Sequence, residues 1–177
     1  TGASGVVLGR RLVEVLCDLG HEVYLIISRA AERVAKAEGE EDLEKFSKKV
    51  KSFFSDSDME APLASSSFLF DAMVICPCSM KTLAAVANGY SDTLIARAAE
   101  NCLKLGRRLV VVPRDTPFSL SSLENMVKLK KVGALMVPPV LAFYSKPQRV
   151  EDLVDFVVGK VLDCLGIRHN LYKRWGE

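Results

Sequence analysis

Several features that mark whole classes of protein are scarce in this sequence of 177 residues. Its 24 basic and 22 acidic residues leave a net charge of only +2, and the basic residues are scattered, so nothing indicates a nucleic acid or a membrane surface as a partner. No apolar run reaches the ~18 residues of a membrane span, and we expect no targeting leader. The length and ordinary composition predict a single globular domain over residues 1–177.

Cysteine occurs five times, at positions that suit neither a disulfide framework nor a metal centre. The number is odd, and Cys76 and Cys78 are separated by one residue, whereas a redox pair needs two. Each cysteine lies in an apolar pattern, so buried free thiols in a reducing compartment fit best. We therefore expect structural cysteines and a cytoplasmic protein.

Small residues open the chain, with Gly2 and Gly5 flanking Ala3 and Ser4, and an amphipathic helix pattern follows at once. Glycines let backbone N–H groups approach an anion, a helix N-terminus carries partial positive charge, and a serine hydroxyl adds a donor. The stretch therefore suits a phosphate, although such turns are also common packing devices. Its spacing is that of neither the dinucleotide fingerprint nor the P-loop, so NAD and nucleoside triphosphates are not the first candidates.

Apolar strands alternate with helices along the rest of the chain. We predict strands at 22–27, 72–76, 108–112 and 134–137, helices at 6–19 (with Gly20 as the stop), 29–38, 79–89, 91–105, 122–131 and 150–165, an exposed charged helix at 39–51 and an irregular loop at 53–67. A phosphate-binding turn normally follows a strand, so we also expect a strand before Thr1. Apolar strands separated by helices indicate an α/β fold, a doubly wound parallel sheet with helices on both faces.

Polar side chains follow the predicted strands, at the edge where open parallel sheets bind ligands. They are Ser4, Ser28, Ser79 with Thr82, Arg114 with Asp115, and Tyr144. A lone serine there is usually a helix cap. Because five groups converge on one edge, the sequence predicts a polar ligand site.

Three more cations lie on predicted helices. Arg97 and Lys104 share one stripe of the 91–105 helix, where a solvated face is the plain alternative. Lys160 lies at the edge of an apolar stripe, so its side chain either reaches past that stripe to solvent or points into a site.

Together these motifs closely resemble the UbiX-type flavin prenyltransferases. The resemblance rests on residues 1–5, 75–82, 113–117, 123–126 and 138–144, and extends to 173–176. It implies a Rossmann-like flavoprotein fold and the transfer of a dimethylallyl group from dimethylallyl phosphate to reduced FMN. The product, prenylated FMN, would serve a UbiD-type decarboxylase. The resemblance also implies a metal-independent enzyme that assembles as a homododecamer with sites at subunit contacts.

The resemblance assigns roles to individual residues. The residues that it implies in FMN binding are Gly2, Ala3, Ser4, Ser28, Ser79, Met80, Lys81, Thr82 and Arg97. The residues that it implies in binding the phosphate of the prenyl donor are Lys104, Arg114, Lys160 and Tyr144. The residues that it implies in catalysis are Ser4, Glu38, Lys104, Arg114, Asp115 and Trp175. A protonated Glu38 would pass a proton to the departing phosphate, and Tyr144 and Trp175 would offer aromatic faces to the allyl cation.

Side-chain cations are needed because the sequence has no D-D-x-x-D motif for magnesium, which many prenyltransferases use to neutralise the leaving phosphate. Three positions depart from the family pattern. Asp115 replaces a common glutamate, Lys160 a common arginine and Met59 a tryptophan found in some members. A lysine is a point charge where arginine offers a planar fork. The choice of donor, monophosphate or diphosphate, and the rate therefore stay open.

Two alternatives remain. An FMN-dependent cysteine decarboxylase would need a histidine in the middle of the chain as its base, whereas the only histidines are His21 and His169. A non-enzymatic flavin carrier would need the FMN residues but not the cations and Tyr144 assigned to the donor phosphate.

Overall fold

Helices and short strands alternate along the described residues, 1–40 and 48–176, of the computed structural model. In chain order they are α1 (Val6–Asp18), β1 (Tyr24–Ile27), α2 (Arg29–Ala37), β2 (Ser52–Ser55), a 3₁₀ turn (Pro62–Ala64), β3 (Ala72–Cys78), α3 (Met80–Ala87), α4 (Leu94–Lys104), β4 (Arg108–Pro113), α5 (Leu120–Lys131), β5 (Leu135–Met136) and α6 (Val150–Leu165).

All the strand pairings are parallel. β1 and β2 form a two-stranded sheet, from Tyr24 opposite Ser52 to Ile27 opposite Ser55, whereas β3, β4 and β5 form a separate three-stranded sheet in that order. The chain between paired strands contains at least one helix in each case, as expected for parallel pairing, which needs a long crossover connection,. The predicted α/β class with parallel strands and helices on both sides is confirmed.

The side chains of β4 show how the helices cover both faces of the sheet. Leu109 and Val111 pack with residues of α3, α4 and α5, whereas Val110 and Val112 pack with α1 and α6. All four are 0% exposed. Successive side chains of a strand point to opposite faces, so an apolar run without alternation marks a strand buried on both.

Two helices begin at a different residue from the predicted one. Thr93, not Ser91, caps α4, and its Oγ1 accepts the N–H of Ala96 at 3.3 Å. Ser119, not Ser122, caps α5, and its Oγ accepts the N–H of Ser122 at 3.2 Å. Each prediction was wrong by two or three residues because several hydroxyl side chains in a row are equally good caps by type.

The segment predicted as an irregular loop, 53–67, contains β2 and the 3₁₀ turn. The strand was missed because it is short, only half buried and bounded by serines, so its pairing with β1 outweighs weak local signals. The predicted helix at 39–51 falls largely on residues 41–47, outside the described residues. Its described end, 48–51, consists of turns and bends, and Val50 is buried there against Val13.

An apolar cavity of about 520 Å³ lies between β1 and β3 and is lined by residues such as Ile26, Met73 and Ile75. The strand expected before Thr1 stays a prediction. Among the described residues, no helix combines the length and the apolar character needed to cross a membrane.

Candidate active site

The N-terminus of α1 already holds a negatively charged group. Gly5 precedes the helix with a positive φ of 90° and offers no capping side chain. The carboxylate of Glu38, at the end of α2, accepts the N–H of Gly5 at 2.9 Å and that of Val6 at 3.0 Å. Free N–H groups and the helix dipole make this position an anion site. The sequence predicted that property, but the anion bound there is a side chain of the protein.

The surroundings of Glu38 keep its side chain ionised. Partial burial raises the pKa of Glu38, but the hydrogen bonds from Ser4, Gly5 and Val6 and the positive charge of Arg114 lower it further, so the net pKa lies below its usual range. Hydrogen bonds to the charged form of an acid favour that form. The geometry therefore favours a carboxylate here, in contrast to the protonated Glu38 expected from the sequence.

Hydroxyl groups cap the two helices that follow β1 and β3. Ser28 is buried, and its Oγ accepts the N–H of Ala31 at 3.2 Å. The Oγ of Ser79 accepts the N–H of Thr82 at 3.3 Å and lies 3.1 Å from the Oγ1 of Thr82. A serine that accepts through a lone pair still has its own O–H to donate. The caps therefore leave donors at the carboxyl edge of the sheet, beside two helix N-termini.

The first residues are fixed against this edge. The Oγ1 of Thr1 donates to the carbonyl of Pro77 and accepts the N–H of Ser79, both at 2.8 Å. A Cβ built on Gly2 would lie 2.4 Å from the Cβ of Ala30, and Ala3 is buried. Only glycine allows the 1–5 turn to pack this closely on the start of α2.

The next two members of the predicted FMN group lie at the start of α3. Met80 is half buried and packs against the core beneath α3 and α4, whereas Lys81 is exposed. Met80 therefore supports the helix, and Lys81 places an exposed cation near its N-terminus.

Arg114 and Asp115 follow the last residue of β4. The N–H of Arg114 donates to the carbonyl of Cys78 at 3.0 Å, which places both strand ends side by side. The Arg114 side chain is exposed, and its charge acts on Glu38. The Oδ1 of Asp115 accepts the N–H of Thr116 at 2.9 Å, so this carboxylate is oriented by its own turn.

Aromatic rings and one cation form a second group beside α1. The Tyr144 ring makes edge-to-face contacts with Trp175, at 5.3 Å between centroids, and with Phe156, at 6.0 Å. The Lys160 ammonium lies 4.8 Å from the centroid of Tyr172 and 5.4 Å from that of Phe156. Its hydrogen bond with Tyr172 is the main cause that raises the pKa of Lys160. Lys160 therefore stays charged and does not extend alone into solvent.

The two groups are neighbours. Tyr144, Phe156 and Tyr172 share one hydrophobic cluster with Leu8, one turn into α1, and with Cys76, near the end of β3. A site at the carboxyl edge can therefore use the hydroxyl caps on one side and Lys160 with Tyr144 on the other.

Lys104 is not part of either group within one chain. α4 starts at the carboxyl edge, where the N–H of Leu94 donates to the carbonyl of Asp56 at 2.8 Å, just after β2. It ends at Lys104, shortly before β4 begins. The six residues of β4 then separate Lys104 from Arg114 by about 20 Å at ~3.3 Å per residue. A single chain therefore does not bring Lys104 to Arg114, Lys160 and Tyr144, and its membership of the phosphate site stays a prediction that requires a subunit contact.

The other predicted members of the site have local partners or none. Arg97 pairs with Glu100 on the same helix at 3.3 Å. Met59, the residue in place of an aromatic ring, is 40% exposed. Lys104 is exposed and makes no hydrogen bond or ion pair with another described residue.

Asp163 is a residue that the sequence reasoning missed. Its carboxylate accepts hydrogen bonds from three side chains of the C-terminal tail, His169, Tyr172 and Arg174. Burial raises the pKa of Asp163, but the bonds from Arg174, Tyr172 and His169 outweigh it and lower the pKa to about 2. The only signal in the sequence was an acid one turn beyond Lys160 on the same helix.

The cysteines are free, but only Cys78 and Cys102 are buried, so the prediction of buried thiols is wrong for the partly buried Cys17, Cys76 and Cys164. Burial raises the pKa of Cys78 to about 12 and that of Cys102 to about 11, so both are thiols at neutral pH and suit a structural role. Within residues 1–40 and 48–176, no three His, Cys, Asp or Glu side chains lie close enough together to hold a metal ion.

Known proteins are similar to this chain in sequence and fold over nearly its whole length. Residues 1–162 match the family described as Flavoprotein. Flavin prenyltransferase UbiX of Methanocaldococcus jannaschii is 51% identical over 176 residues, which cover 99% of this chain and 95% of the relative. A dodecameric FMN-dependent UbiX-like decarboxylase from Escherichia coli superposes with a TM-score of 0.96 at 40% identity, covering 100% of this chain and 96% of the other. AnUbiX (PadA1), solved in complex with FMN and dimethylallyl pyrophosphate, gives a TM-score of 0.96 at 40% identity, covering 99% and 94%.

Proposed function

Because this chain belongs to the Flavoprotein family and, within it, to the UbiX flavin prenyltransferases, we propose that it transfers a dimethylallyl group from dimethylallyl phosphate to reduced FMN. The product is prenylated FMN. The observation that carries the proposal is the presence of two different polar groups side by side at one edge of the sheet. One consists of hydroxyls and helix N-termini, and the other combines a cation with aromatic rings.

The first group suits the FMN phosphate. Ser28, Ser79 and Thr82 each keep hydroxyl capacity beyond the hydrogen bonds they make, and the N-termini of α2 and α3 add partial positive charge. The remaining FMN contacts are assigned to the backbone of the opening turn and to side chains nearby: Gly2, Ala3, Ser4, Met80, Lys81 and Arg97.

The second group suits the prenyl donor. When the allylic C–O bond breaks, the electron pair leaves with the phosphate and a carbocation stays on the allyl group. Arg114 and Lys160 hold the phosphate, and the Tyr144 hydroxyl donates to it. Each such charge-assisted hydrogen bond contributes roughly 1.5–3 kcal/mol. The rings of Tyr144 and Trp175 offer negative faces to the cation, as they do to ammonium groups.

Glu38 is assigned to proton transfer. As a carboxylate between Arg114 and the α1 N-terminus it repels an arriving phosphate dianion, and that like-charge repulsion raises its pKa. Glu38 then takes up a proton that it can pass to the departing phosphate. Asp115, oriented by Thr116, is the second acid near the donor, and Ser4 links Glu38 to the flavin side.

Lys104 reaches the donor phosphate from a neighbouring copy of the chain. The E. coli relative is dodecameric, and large apolar side chains are exposed here, among them Leu69, Leu120, Val140 and Phe143. Exposed apolar area of this kind marks interaction surfaces. We assign the same dodecameric assembly to this chain, with its sites at subunit contacts.

The product is passed to a UbiD-type decarboxylase, and the reaction takes place in the cytoplasm. Buried thiols agree with a reducing compartment,. The reaction needs no metal in this proposal, since Lys104, Arg114 and Lys160 neutralise the leaving phosphate.

The two alternative functions lack support in the site. The His169 side chain is 2% exposed and bound to Asp163, and His21 is exposed before β1, so neither is a base at the carboxyl edge for cysteine decarboxylation. A flavin carrier would leave Lys160 and Tyr144 without a role.

The test is anaerobic incubation of the protein with reduced FMN and dimethylallyl phosphate, without magnesium, followed by mass analysis of the flavin. We expect a gain of one dimethylallyl unit, and the diphosphate is run in parallel to define the donor. Bound but unchanged FMN with both donors would contradict the proposal and favour a carrier.

Two variants assign the phosphate site. Lys104→Ala and Tyr144→Phe should keep FMN bound while lowering prenyl transfer by about tenfold to a hundredfold, the value of one charge-assisted hydrogen bond. Lys131→Ala is the matched control, because Lys131 is also an exposed lysine at the last position of a helix.

A further inference from the structure

The C-terminal tail, residues 167–176, is held by one carboxylate on α6. The Asp163 oxygens accept from His169 Nε2 at 3.1 Å, from Arg174 Nη2 at 2.8 Å and from the Tyr172 hydroxyl. Lys160, on the same helix, lies 3.9 Å from Asp163. Three donors from the tail therefore share the Asp163 carboxylate with Lys160, whose own ion pair with it is the longest of the four contacts.

A glycine provides the space for this packing. A Cβ built on Gly159 would lie 2.6 Å from two ring carbons of Tyr172 and 2.7 Å from Cε1 of His169. Gly159 and Asp163 are four residues apart, so they lie on the same face of α6. Glycine in a helix interior weakens the helix, and here its lack of a side chain is used to seat the tail.

The seated tail presents two predicted site residues together. The Tyr172 ring lies 4.8 Å from the Lys160 ammonium, and a few residues on, Trp175 meets the Tyr144 ring at 5.3 Å. Trp175 is otherwise 81% exposed. The tail thus fixes one side of Lys160 and places the indole beside Tyr144, leaving most of the indole open to a ligand or a second copy.

We propose that Gly159, Asp163 and Tyr172 are positioning residues for the donor subsite: they seat the tail on α6, so that Asp163 is occupied by tail donors and Lys160 is left available to the donor phosphate. The inference rests on the proposed prenyl transfer. If the tail leaves, the Lys160–Asp163 ion pair, 3.9 Å long in the structure, can close to a direct contact, which neutralises the cation that the phosphate needs.

Two variants test, by different means, whether these residues hold the tail on α6. Gly159→Ala pushes the Tyr172 and His169 rings away without changing any charge, whereas Asp163→Asn removes the negative charge and one of the two acceptor oxygens without changing the size of the side chain. Asp155→Asn is the matched control, because Asp155 also lies on α6 and has similar side-chain exposure, but it pairs with Arg11 of α1 at 2.6 Å and not with the tail.

The first readout does not depend on activity. The chain has one tryptophan, so time-resolved fluorescence anisotropy reports the motion of Trp175 alone. We expect fast local motion of the indole in both test variants, and slow tumbling with the whole protein in the wild type and in Asp155→Asn. If the anisotropy decay of Trp175 is unchanged in both test variants, Gly159 and Asp163 do not hold the tail on α6, and the proposal is overturned.

The second readout is kinetic. Gly159→Ala should raise KM for dimethylallyl phosphate by about tenfold, because the Asp163 carboxylate then pairs with Lys160 and one charged contact with the donor is lost. Asp163→Asn also frees the tail but removes that carboxylate, so its KM should rise clearly less, and FMN affinity should stay within about twofold in both variants. A mobile indole with an unchanged KM in Gly159→Ala, or an equal rise of KM in both variants, would overturn the proposal. If Gly159→Ala does not fold, Tyr172→Ala takes its place, because it removes the ring that packs on Gly159 and leaves Asp163 charged. If the wild type transfers no prenyl group, the proposed function fails. The anisotropy measurement still tests whether Gly159 and Asp163 hold the C-terminal tail on α6.

Discussion

Replacing Glu38 tests whether the α1 N-terminus is an anion site occupied by the protein itself. Glu38 satisfies the N–H groups of Gly5 and Val6, the role that a capping side chain usually fills. A cap contributes about 1 kcal/mol, and charge at a helix N-terminus adds roughly 0.3–1 kcal/mol. Because Glu38 is exposed, we take the lower part of this range and expect Glu38→Ala to lower the free energy of unfolding by about 1 kcal/mol.

The pH dependence of this loss has a definite sign. The folded-state pKa of Glu38 lies below its ordinary value, so its stabilisation is present above the unfolded pKa of about 4.3 and disappears as pH falls through the folded pKa. Urea denaturation should therefore separate wild type and Glu38→Ala at pH 7 and bring them together only as the pH falls through the lowered folded-state pKa of Glu38,. Glu60→Gln, an exposed glutamate in the loop after β2, is the control.

Added phosphate gives the decisive arm of the same experiment. With Glu38 removed, the N–H groups of Gly5 and Val6 are open to an external anion, and phosphate should restore stability as RT ln(1 + [L]/Kd). Wild type should respond less, since its own carboxylate competes. Equal stability of the two proteins at pH 7, or an equal response to phosphate, would refute the reasoning.

Three further predictions concern neighbouring features. Ser79→Ala should lower the free energy of unfolding by about 1 kcal/mol through the lost cap and weaken FMN binding by about tenfold, as measured by urea melts and flavin titration. Gly2→Ala should lower Tm by several degrees because its Cβ would lie 2.4 Å from that of Ala30,, as seen by differential scanning calorimetry. Trp175 anisotropy should stay high as pH falls through 4 and drop only near the Asp163 pKa of about 2, because a depressed pKa keeps the carboxylate, and the tail contacts that it makes, down to that pH.

The parts of the fold that were predictable are those where local pattern and burial agree. β4 is apolar throughout and buried on both faces, and α6 keeps its predicted bounds, Val150–Leu165. The hydroxyls at the ends of β1 and β3 were predictable for the same reason, since a parallel sheet brings strand ends to one edge. Ser28 and Ser79 both cap helices there.

The parts that could not be predicted depend on contacts between distant residues. β2 exists through its pairing with β1, which no local pattern encodes. Glu38 contacts the start of a helix more than thirty residues earlier in the chain. Nothing in its local sequence distinguishes it from an ordinary acidic residue at the end of a helix. Asp163 gains its importance from the tail that folds back over Gly159, and periodicity within α6 gives no sign of that.

The position of Lys104 leads to the strongest test of how a complete site is built. Within one chain, Lys104 and Tyr144 lie toward opposite ends of the sheet, so a site that uses both must take them from different copies. Subunits carrying Lys104→Ala and subunits carrying Tyr144→Phe, each expected to keep only about 1–10% of the wild-type activity, should therefore complement each other when co-assembled. Random mixing in equal amounts gives about a quarter of the sites both native residues, so activity should recover to about a quarter of the wild-type value. If one chain supplied both residues, every site in the mixture would lack one of them, and activity would stay at the level of the single variants.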